Sequence, residues 1–388
     1  MAERSLIFPA EEFEGRALRL QVEMAARGLH ALLLTTPEDI FYTTGFLTRF
    51  WESPARPWFV VLPADGPPVA VIPTIGADLM GRTWVTDIRT WEAPNPTDGG
   101  IGLLGEALRG AVPETGAIGV PMGLETHVRM PLADFLSLSD ALAPRRIVDA
   151  TACVQRVREV KSEPEIAKLR AICTIAGRAF DQVPTIATPG ARLDAVFREF
   201  QAACLQAGAD WVSYVAGGAG RGGYGDVISP ADARPLQSGD LLMLDTGAVA
   251  DGYFCDFDRN FAIGPPDEAT TRAHEALWRA TDGVLRAIRP GQRACDVHEK
   301  LCTAIAGRGA RPGGGRLGHG LGLSLTEWPS LSAVDDTPLR AGMVLTLEPS
   351  AVLGPGRLMV HEENFVLRED GADLLSPRAP ETLPVIGP

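Results

Sequence analysis

The sequence predicts an α+β fold with two domains, an α/β domain over residues 1–155 and an α+β domain over 156–388 that uses one structural unit twice. The repeat is directly visible, because residues 235–249 recur at 338–352 without a gap and seven of fifteen positions are identical. Such a repeat is typical of supersecondary units that stack around a shared core. Helix and strand signals alternate before the boundary, whereas helix, helix and hairpin follow one another twice after it.

The first domain begins with a helical pattern that ends at Gly28. Two later extended runs flank the segment 63–68, whose Pro, Asp and Gly residues are typical of a hairpin turn. The predicted elements are, in order, helix 11–29, strand 31–36, strands 58–62 and 69–72, helix 131–143 and strand 146–149. Their alternation over about 150 residues predicts an α/β domain of ordinary size.

The second domain follows a boundary near 152–162. Ser162 and Glu165 form a capping-box pattern, and apolar residues three and four apart follow it, so a helix begins here. The later predicted elements are helix 191–207, hairpin 240–262, helices 267–288 and 294–308, and strands 343–349 and 358–367. We therefore expect a curved antiparallel sheet with its helices packed outside.

Composition excludes several classes of protein. The chain has 388 residues, 45% of them hydrophobic and 22% charged, as in ordinary globular proteins. Its formal charge of −13, from 36 basic and 49 acidic residues, argues against a nucleic-acid partner. No apolar run is long enough for a membrane span, and no signal peptide is visible. The six cysteines lack paired spacing, which predicts a reducing, cytoplasmic location.

A carboxylate stands at the same place in both copies of the repeat, Asp245 in the first and Glu348 in the second. If the first hairpin turns between Ala250 and Asp251, Asp245 faces Asp256. If Asp251 and Gly252 form a two-residue loop, Asp258 is opposite instead. Like charges this close are unfavourable unless a proton or a cation lies between them.

The second copy adds Glu362 or Glu363 on its next strand, and glycines hold His319 on a tight backbone between the copies. Four carboxylates and one imidazole can hold two divalent ions about 3.5–4 Å apart, as in sites that activate water. This ligand set suits Mn, Zn, Co or Fe. The residues thus predict a metal centre.

The chain resembles the pita-bread metalloenzyme family, which includes prolidase, the proline-specific and methionine aminopeptidases, and creatinase. The matching segments are 38–46 and 157–165, Asp245-Thr-Gly with 252–259, Gly318-His319-Gly-Leu-Gly, Leu347-Glu348-Pro, and Glu362-Glu363 before Glu369-Asp-Gly. The resemblance implies a pita-bread C-terminal domain with a pseudo-twofold repeat, preceded by a creatinase-like α/β domain.

The same resemblance settles the first register in favour of Asp256 and the last ligand in favour of Glu362. The implied metal ligands are Asp245, Asp256, His319, Glu348 and Glu362. Glu348 is also implied to be the general base in attack of water on a C–N bond.

Two histidines that the family's peptidases use to bind the scissile carbonyl are absent. Thr326 stands where one is expected, and the glycine-rich segment 217–225 contains no histidine. Tyr224, Asp226 or Thr326 are candidates to supply the missing hydrogen bonds, and Glu327 is a candidate substrate residue. We expect the glycine-rich segment to be a flexible loop at the rim of the site.

The aromatic and basic segment 49–58 follows the family's Thr-Gly-Phe motif. The resemblance implies a homodimer in which this loop reaches the neighbouring subunit's site, so Arg49 and Trp51 are candidate substrate contacts. Trp58 is expected to pack in the core.

The prediction is a dinuclear metallohydrolase that cleaves a C–N bond in an Xaa-Pro dipeptide-like or other small amide substrate. One alternative is a metal-dependent lyase on the same fold, of the dimethylsulfoniopropionate lyase type. Another is a non-catalytic binding protein, which the complete ligand set disfavours.

Overall fold

The computed structural model describes residues 7–51 and 53–388. The chain forms two compact units, residues 1–158 and residues 159–388. The helices are α1 (Ala10–Ala26), α2 (Pro37–Thr44), α3 (Ala77–Met80), α4 (Ile101–Ala111), α5 (Leu132–Leu142), α6 (Thr151–Arg158), α7 (Glu163–Phe180), α8 (Val183–Ile186), α9 (Leu193–Ala207), α10 (Glu268–Ala287) and α11 (Ala294–Ala306).

The strands of the first unit are β1 (Ala31–Leu34), β2 (Phe59–Pro63), β3 (Val69–Pro73), β4 (Asp87–Trp91), β5 (Ala117–Val120) and β6 (Arg146–Asp149). They form one mixed sheet in the order β4-β3-β2-β1-β5-β6. The segment predicted as a hairpin is one, since β2 pairs antiparallel with β3. Because β1 is buried on both faces and α1 and α4 pack on β2, this sheet is the core of an α/β unit.

The strands of the second unit are β7 (Trp211–Arg221), β8 (Asp240–Ala250), β9 (Tyr253–Phe254), β10 (Phe257–Ile263), β11 (Arg311–Pro312), β12 (His319–Gly320), β13 (Glu327–Ser330), β14 (Val344–Leu347), β15 (Ser350–Gly354), β16 (Arg357–Val360), β17 (Glu363–Arg368), β18 (Gly371–Leu374) and β19 (Val385–Ile386). One sheet has the order β19-β10-β8-β7, another has the order β13-β12-β14-β17-β18, and a third has the order β11-β15-β16.

The two copies of the repeat form equivalent strand pairs. In the first copy β8 pairs antiparallel with β10, and in the second β14 pairs antiparallel with β17. The helices α7 and α9 pack on the first sheet, and α10 packs on β15 and β18. The predicted α+β fold class with its repeated unit is confirmed.

Two predicted elements differ from the structure. The predicted strand 358–367 is two strands, because β16 pairs with β15 while β17 pairs with β14, and the chain changes partners at His361 and Glu362. The first part of the glycine-rich segment 217–225 is not a flexible loop, because β7 continues to Arg221 along β8. A Cβ at Gly217 would lie 2.1 Å from the carbonyl oxygen of Met243, so glycine lets the strands approach closely.

Among the described residues, no helix has the length and apolar content that a membrane span requires.

Candidate metal centre

The first hairpin places Asp245 and Asp256 on neighbouring strands. Its turn is the two-residue loop Asp251 and Gly252, both with positive φ, a geometry that favours tight hairpins. This loop pairs Asp245 with Asp258 across β8 and β10. The register that the resemblance implied is therefore wrong, because the length of the turn fixes which residues face each other. Asp256 lies two residues earlier, diagonally across from Asp245, within reach of the same site.

The second copy supplies Glu348 and Glu362. Glu348 follows β14 directly, and Glu362 lies in the break between β16 and β17. Its neighbour Glu363 faces the opposite way, where its carboxylate accepts hydrogen bonds from Arg259 and Arg378. Of the two candidate glutamates, Glu362 is therefore the one that joins the cluster.

Three of the predicted ligands come together in the buried floor of this site. Donor atoms of Asp256, His319 and Glu362 all lie within 4.8 Å of one another. Glu348 Oε2 lies 3.9 Å from His319 Nε2. Glu348 is 23% exposed, against 2% for His319 and 7% for Asp256 in their side chains, and Asp245 is partly exposed. The site therefore opens on the side of Asp245 and Glu348.

The tautomer of His319 prepares it for a cation. Its Nδ1 lies 2.8 Å from the carbonyl oxygen of Gly320, which can only accept a hydrogen bond, so Nδ1 carries the proton. Nε2 lies 3.2 Å from Asp256 Oδ2. In the neutral ring both of these atoms are acceptors, so either a second proton or a cation must bridge them. Burial lowers the pKa of His319, but the hydrogen bond and charge of Asp256 outweigh it and raise that pKa.

The carboxylates crowd one another. Burial, followed by repulsion from Asp256, raises the pKa of both Asp245 and Glu362 well above the ordinary range. Burial also raises the pKa of Glu348, although His319 opposes this shift. Buried carboxyls of this kind must hold protons or share cations. Carboxylate oxygens with one imidazole are a donor set that divalent transition metals accept, so these residues fit the metal centre.

Tyr214 was missed by sequence reasoning. Its hydroxyl lies 3.2 Å from both carboxylate oxygens of Asp245 and donates a short hydrogen bond to Asp256. Its ring occupies the space beside Gly247, where a Cβ would lie 2.4 Å from Tyr214 Cε1. The β-favouring residues Trp211, Val212, Tyr214 and Val215 were the available signal for the strand that carries it.

Asn364 and Arg316 also support the site and were missed. The buried Asn364 side chain accepts a hydrogen bond from Asp256 N at 3.0 Å and donates one to Asp256 O. It thereby ties the second hairpin to the first. Arg316 Nε donates to Glu348 Oε1 at 3.2 Å, and its side chain is 34% exposed, so a guanidinium lies on the open side.

The predicted substitutes for the missing histidines lie in different environments. Tyr224 is buried, and its hydroxyl donates to Asn260 Oδ1 and accepts from Val360 N, so it is used in packing β10 against β16. Asp226 is exposed and caps a turn through the amides of Ile228 and Ser229. Thr326 is half-buried at the end of the loop that joins β12 to β13.

Glu327 is buried and pairs with Lys161, so its carboxylate is not presented to solvent. In the first unit, Trp51 is also buried, and it packs against Phe46 and Trp58 as part of an aromatic core. Arg49 is exposed. The expected core position of Trp58 is confirmed.

Each of the two units matches a known protein family. Residues 167–369 match the model of metallopeptidase family M24, and residues 16–160 match the creatinase/prolidase N-terminal domain. The chain is 30% identical over 370 residues to the probable dipeptidase PepE of Mycobacterium tuberculosis, covering 94% of each chain.

Solved structures share the fold over nearly the whole chain. Dipeptidase PepE from Mycobacterium ulcerans superposes with a TM-score of 0.84 at 29% identity, covering 98% of this chain and 99% of that one. The prolidase from Pyrococcus horikoshii OT3 has the same fold, with a TM-score of 0.81 at 20% identity over 95% of this chain and 100% of that one. The chain therefore belongs to metallopeptidase family M24 and is a hydrolase that uses divalent metal.

Proposed function

We propose that this protein is a dipeptidase that holds two divalent cations, with Asp245, Asp256, His319, Glu348 and Glu362 as ligands. The observation that carries the proposal is the gathering of two buried carboxylates, those of Asp256 and Glu362, around the imidazole of His319, whose Nε2 is left as an acceptor. The relatives named dipeptidase over the full length of the chain support a dipeptide substrate. Mn, Zn, Co and Fe all suit this ligand set.

The residues of the site would have the following roles in catalysis. Bound cations would supply the Lewis acidity that polarises a carbonyl and makes water a better nucleophile. Glu348 is more exposed than His319 and Asp256, and its raised pKa suits a group that takes a proton from water and passes it to the leaving nitrogen. Tyr214 would hold the carboxylates of Asp245 and Asp256 in one orientation. Thr326 is our candidate to donate a hydrogen bond to the substrate in place of the missing histidine.

Arg316 favours a small substrate with an anionic end. Four carboxylates and two divalent cations balance in charge, which leaves the guanidinium of Arg316 as a surplus positive charge on the open side. A dipeptide has a free carboxylate close to its only peptide bond. This matches an Xaa-Pro dipeptide or a related small amide better than a long polypeptide.

The test is release of amino acids by protein that has been purified without chelator and then loaded separately with each metal. Xaa-Pro dipeptides, other dipeptides, the corresponding dipeptide amides and a tripeptide would be compared, with Glu348→Gln as the inactive control. We expect metal-dependent cleavage of at least one dipeptide and weaker cleavage of its amide. Failure to cleave any dipeptide or small amide with every metal would contradict the proposal.

A further inference from the structure

Lys161 and Glu327 form an almost completely buried ion pair in the second unit. Lys161 Nζ lies 2.9 Å from Glu327 Oε2, and the two side chains are 2% and 7% exposed. Removing two charges from water is costly, and only a close and well-bonded partner offsets that cost. Breaking such a pair is strongly unfavourable, so it resists separation of the two segments that carry it.

The glutamate organises the loop 321–326 that joins β12 to β13. Glu327 begins β13 and pairs with Gly320 of β12, next to His319. Its second oxygen accepts a hydrogen bond from Ser324 N at 3.1 Å. A Cβ at Gly322 would lie 2.8 Å from both carboxylate oxygens, so the loop wraps closely around this group. The carboxylate is thus a centre around which the loop folds.

The lysine is held on a rigid segment. Lys161 N donates to Gly342 O at 2.9 Å, and Val160 forms a β-bridge with Met343. These contacts join the lysine to the residues that lead into β14, which ends directly before Glu348. Glu159 adds an ion pair with Arg340 in the same place. Lys161 is therefore fixed relative to the strand that leads to a predicted ligand.

The loop itself packs against the hairpin that carries Asp245 and Asp256. Phe254 N donates to Gly322 O at 2.9 Å, two residues before Asp256. Leu325 Cδ1 would lie 3.0 Å from a Cβ at Gly247, beside the ring of Tyr214. A shift of the loop would consequently displace residues that neighbour both aspartates.

We propose that the Lys161–Glu327 ion pair is a positioning device, which holds the loop 321–326, and with it Thr326 and the backbone of His319, against the metal-site hairpin. The catalytic consequence rests on the proposed function, whereas the structural consequence does not. Glu327 is on this view a positioning residue rather than a substrate contact.

The structural test is hydrogen–deuterium exchange on the full chain. In Lys161→Met and Glu327→Gln we expect amides of 321–326 to exchange on the order of tenfold faster, because local opening no longer has to separate the pair. Exchange in α10 should stay unchanged. Lys168→Met is the matched control, since Lys168 pairs with Asp251 at 2.7 Å but the two side chains are 30% and 42% exposed. Lys161→Arg retains the charge, so it should restore much of the protection.

The functional test compares the metal content of each variant with its kcat/KM. All five ligands remain in these variants, so metal content should be retained while kcat/KM for a dipeptide falls roughly 100-fold, as expected for misplaced catalytic groups. Lys161→Arg should recover activity in parallel with loop protection.

Unchanged exchange at 321–326 in both Glu327→Gln and Lys161→Met would overturn the proposal, whatever the activity. Faster exchange throughout the second unit would assign the pair to general stability and would also overturn it. If the wild type cleaves no dipeptide but the loop still loosens selectively, the dipeptidase proposal fails and the positioning inference stands. If Lys161→Met does not fold, Glu327→Gln and Lys161→Arg provide the same comparison.

Discussion

Tyr214 depends on a glycine opposite it for its place in the site. The phenol oxygen lies within hydrogen-bonding distance of Asp245 and Asp256, and the ring fills the space that a side chain at Gly247 would take. Burial and the nearby aspartates raise the pKa of Tyr214 well above its ordinary value, so the phenol keeps its proton and remains a donor. A neutral donor between two carboxylates fixes their orientation without adding charge.

Gly247→Ala should therefore act as Tyr214→Phe does. The new methyl group would displace the tyrosine ring, and both changes remove the same hydrogen bonds, so we expect each to lower kcat about 10- to 100-fold and the double variant to add little. The measurement is kcat for a dipeptide with metal content determined in parallel.

Gly283→Ala is the matched control, because it lies exposed in α10 with nothing within 4 Å of the added methyl. It should leave kcat unchanged and stabilise the fold by about 0.5–1 kcal/mol. Full activity in Tyr214→Phe would contradict the role given to this residue.

At the scale of elements, the two hairpins are tied by a side chain rather than by a shared strand. Asn364, on β17, satisfies both the N–H and the C=O of Asp256. Asp256 lies between β9 and β10, where it has left the ladder with β8. A single amide thus replaces the backbone partners that the sheet does not provide at this ligand.

Asn364→Ala should leave two buried polar groups of Asp256 without partners. Each unsatisfied buried group costs about 1–3 kcal/mol, so we expect a loss of about 2–6 kcal/mol in the free energy of unfolding together with weaker metal binding. Urea denaturation and metal titration would measure the two effects.

Thr174→Ala removes an exposed hydrogen bond on α7 and should change neither quantity appreciably. If Asn364→Ala binds metal as tightly as the wild type, the hydrogen bonds from Asn364 do not support Asp256 as a metal ligand.

The elements with strong periodic signals were predictable, and those set by tertiary contacts were not. Helices α7, α9, α10 and α11 were predictable because their apolar faces, and the capping box of α7, are local features of the sequence. Strand β7 was not predicted, because its glycines suggest a loop. These glycines allow close approach to β8, and that contact exists only in the folded sheet.

The same limit applies within the site. The five proposed ligands come from the repeat and from the motifs that resemble the family. Tyr214, Arg316 and Asn364 lie outside those motifs and reach the site only through packing. The register of the first hairpin was a choice between two turns, and the positive φ of Asp251 decides it.

In the whole molecule, the repeat brings acidic residues from two hairpins into one buried cluster. In the absence of cations, ionising these carboxyls lowers the stability of the folded protein. Burial raises the pKa of Asp258 to about 7, and the pKa values of Asp245, Glu348 and Glu362 are raised as well. Homodimer assembly and cytoplasmic localisation stay predictions.

These shifts predict how the stability of chelated protein depends on pH. A carboxyl whose folded pKa exceeds its unfolded pKa binds more protons when folded, so stability is fully present below the unfolded pKa and falls as pH rises toward the folded pKa. We expect the Tm of chelated protein to fall between about pH 4 and about pH 7. Cations replace the protons, so the Tm of metal-loaded protein should fall less, or should rise, over that range. A Tm of chelated protein that rises steadily across this interval would contradict the expectation.

Metal content is the measurement that decides whether the repeat builds a dinuclear metal centre. Elemental analysis of protein purified without chelator would be compared with an Asp245→Ala, Glu348→Ala double variant, which loses one ligand from each copy. We expect about two equivalents of divalent metal per chain in the wild type and loss of metal from the variant. Wild-type protein that holds no metal, even after it is reloaded with manganese, zinc, cobalt or iron, would rule out the dinuclear centre.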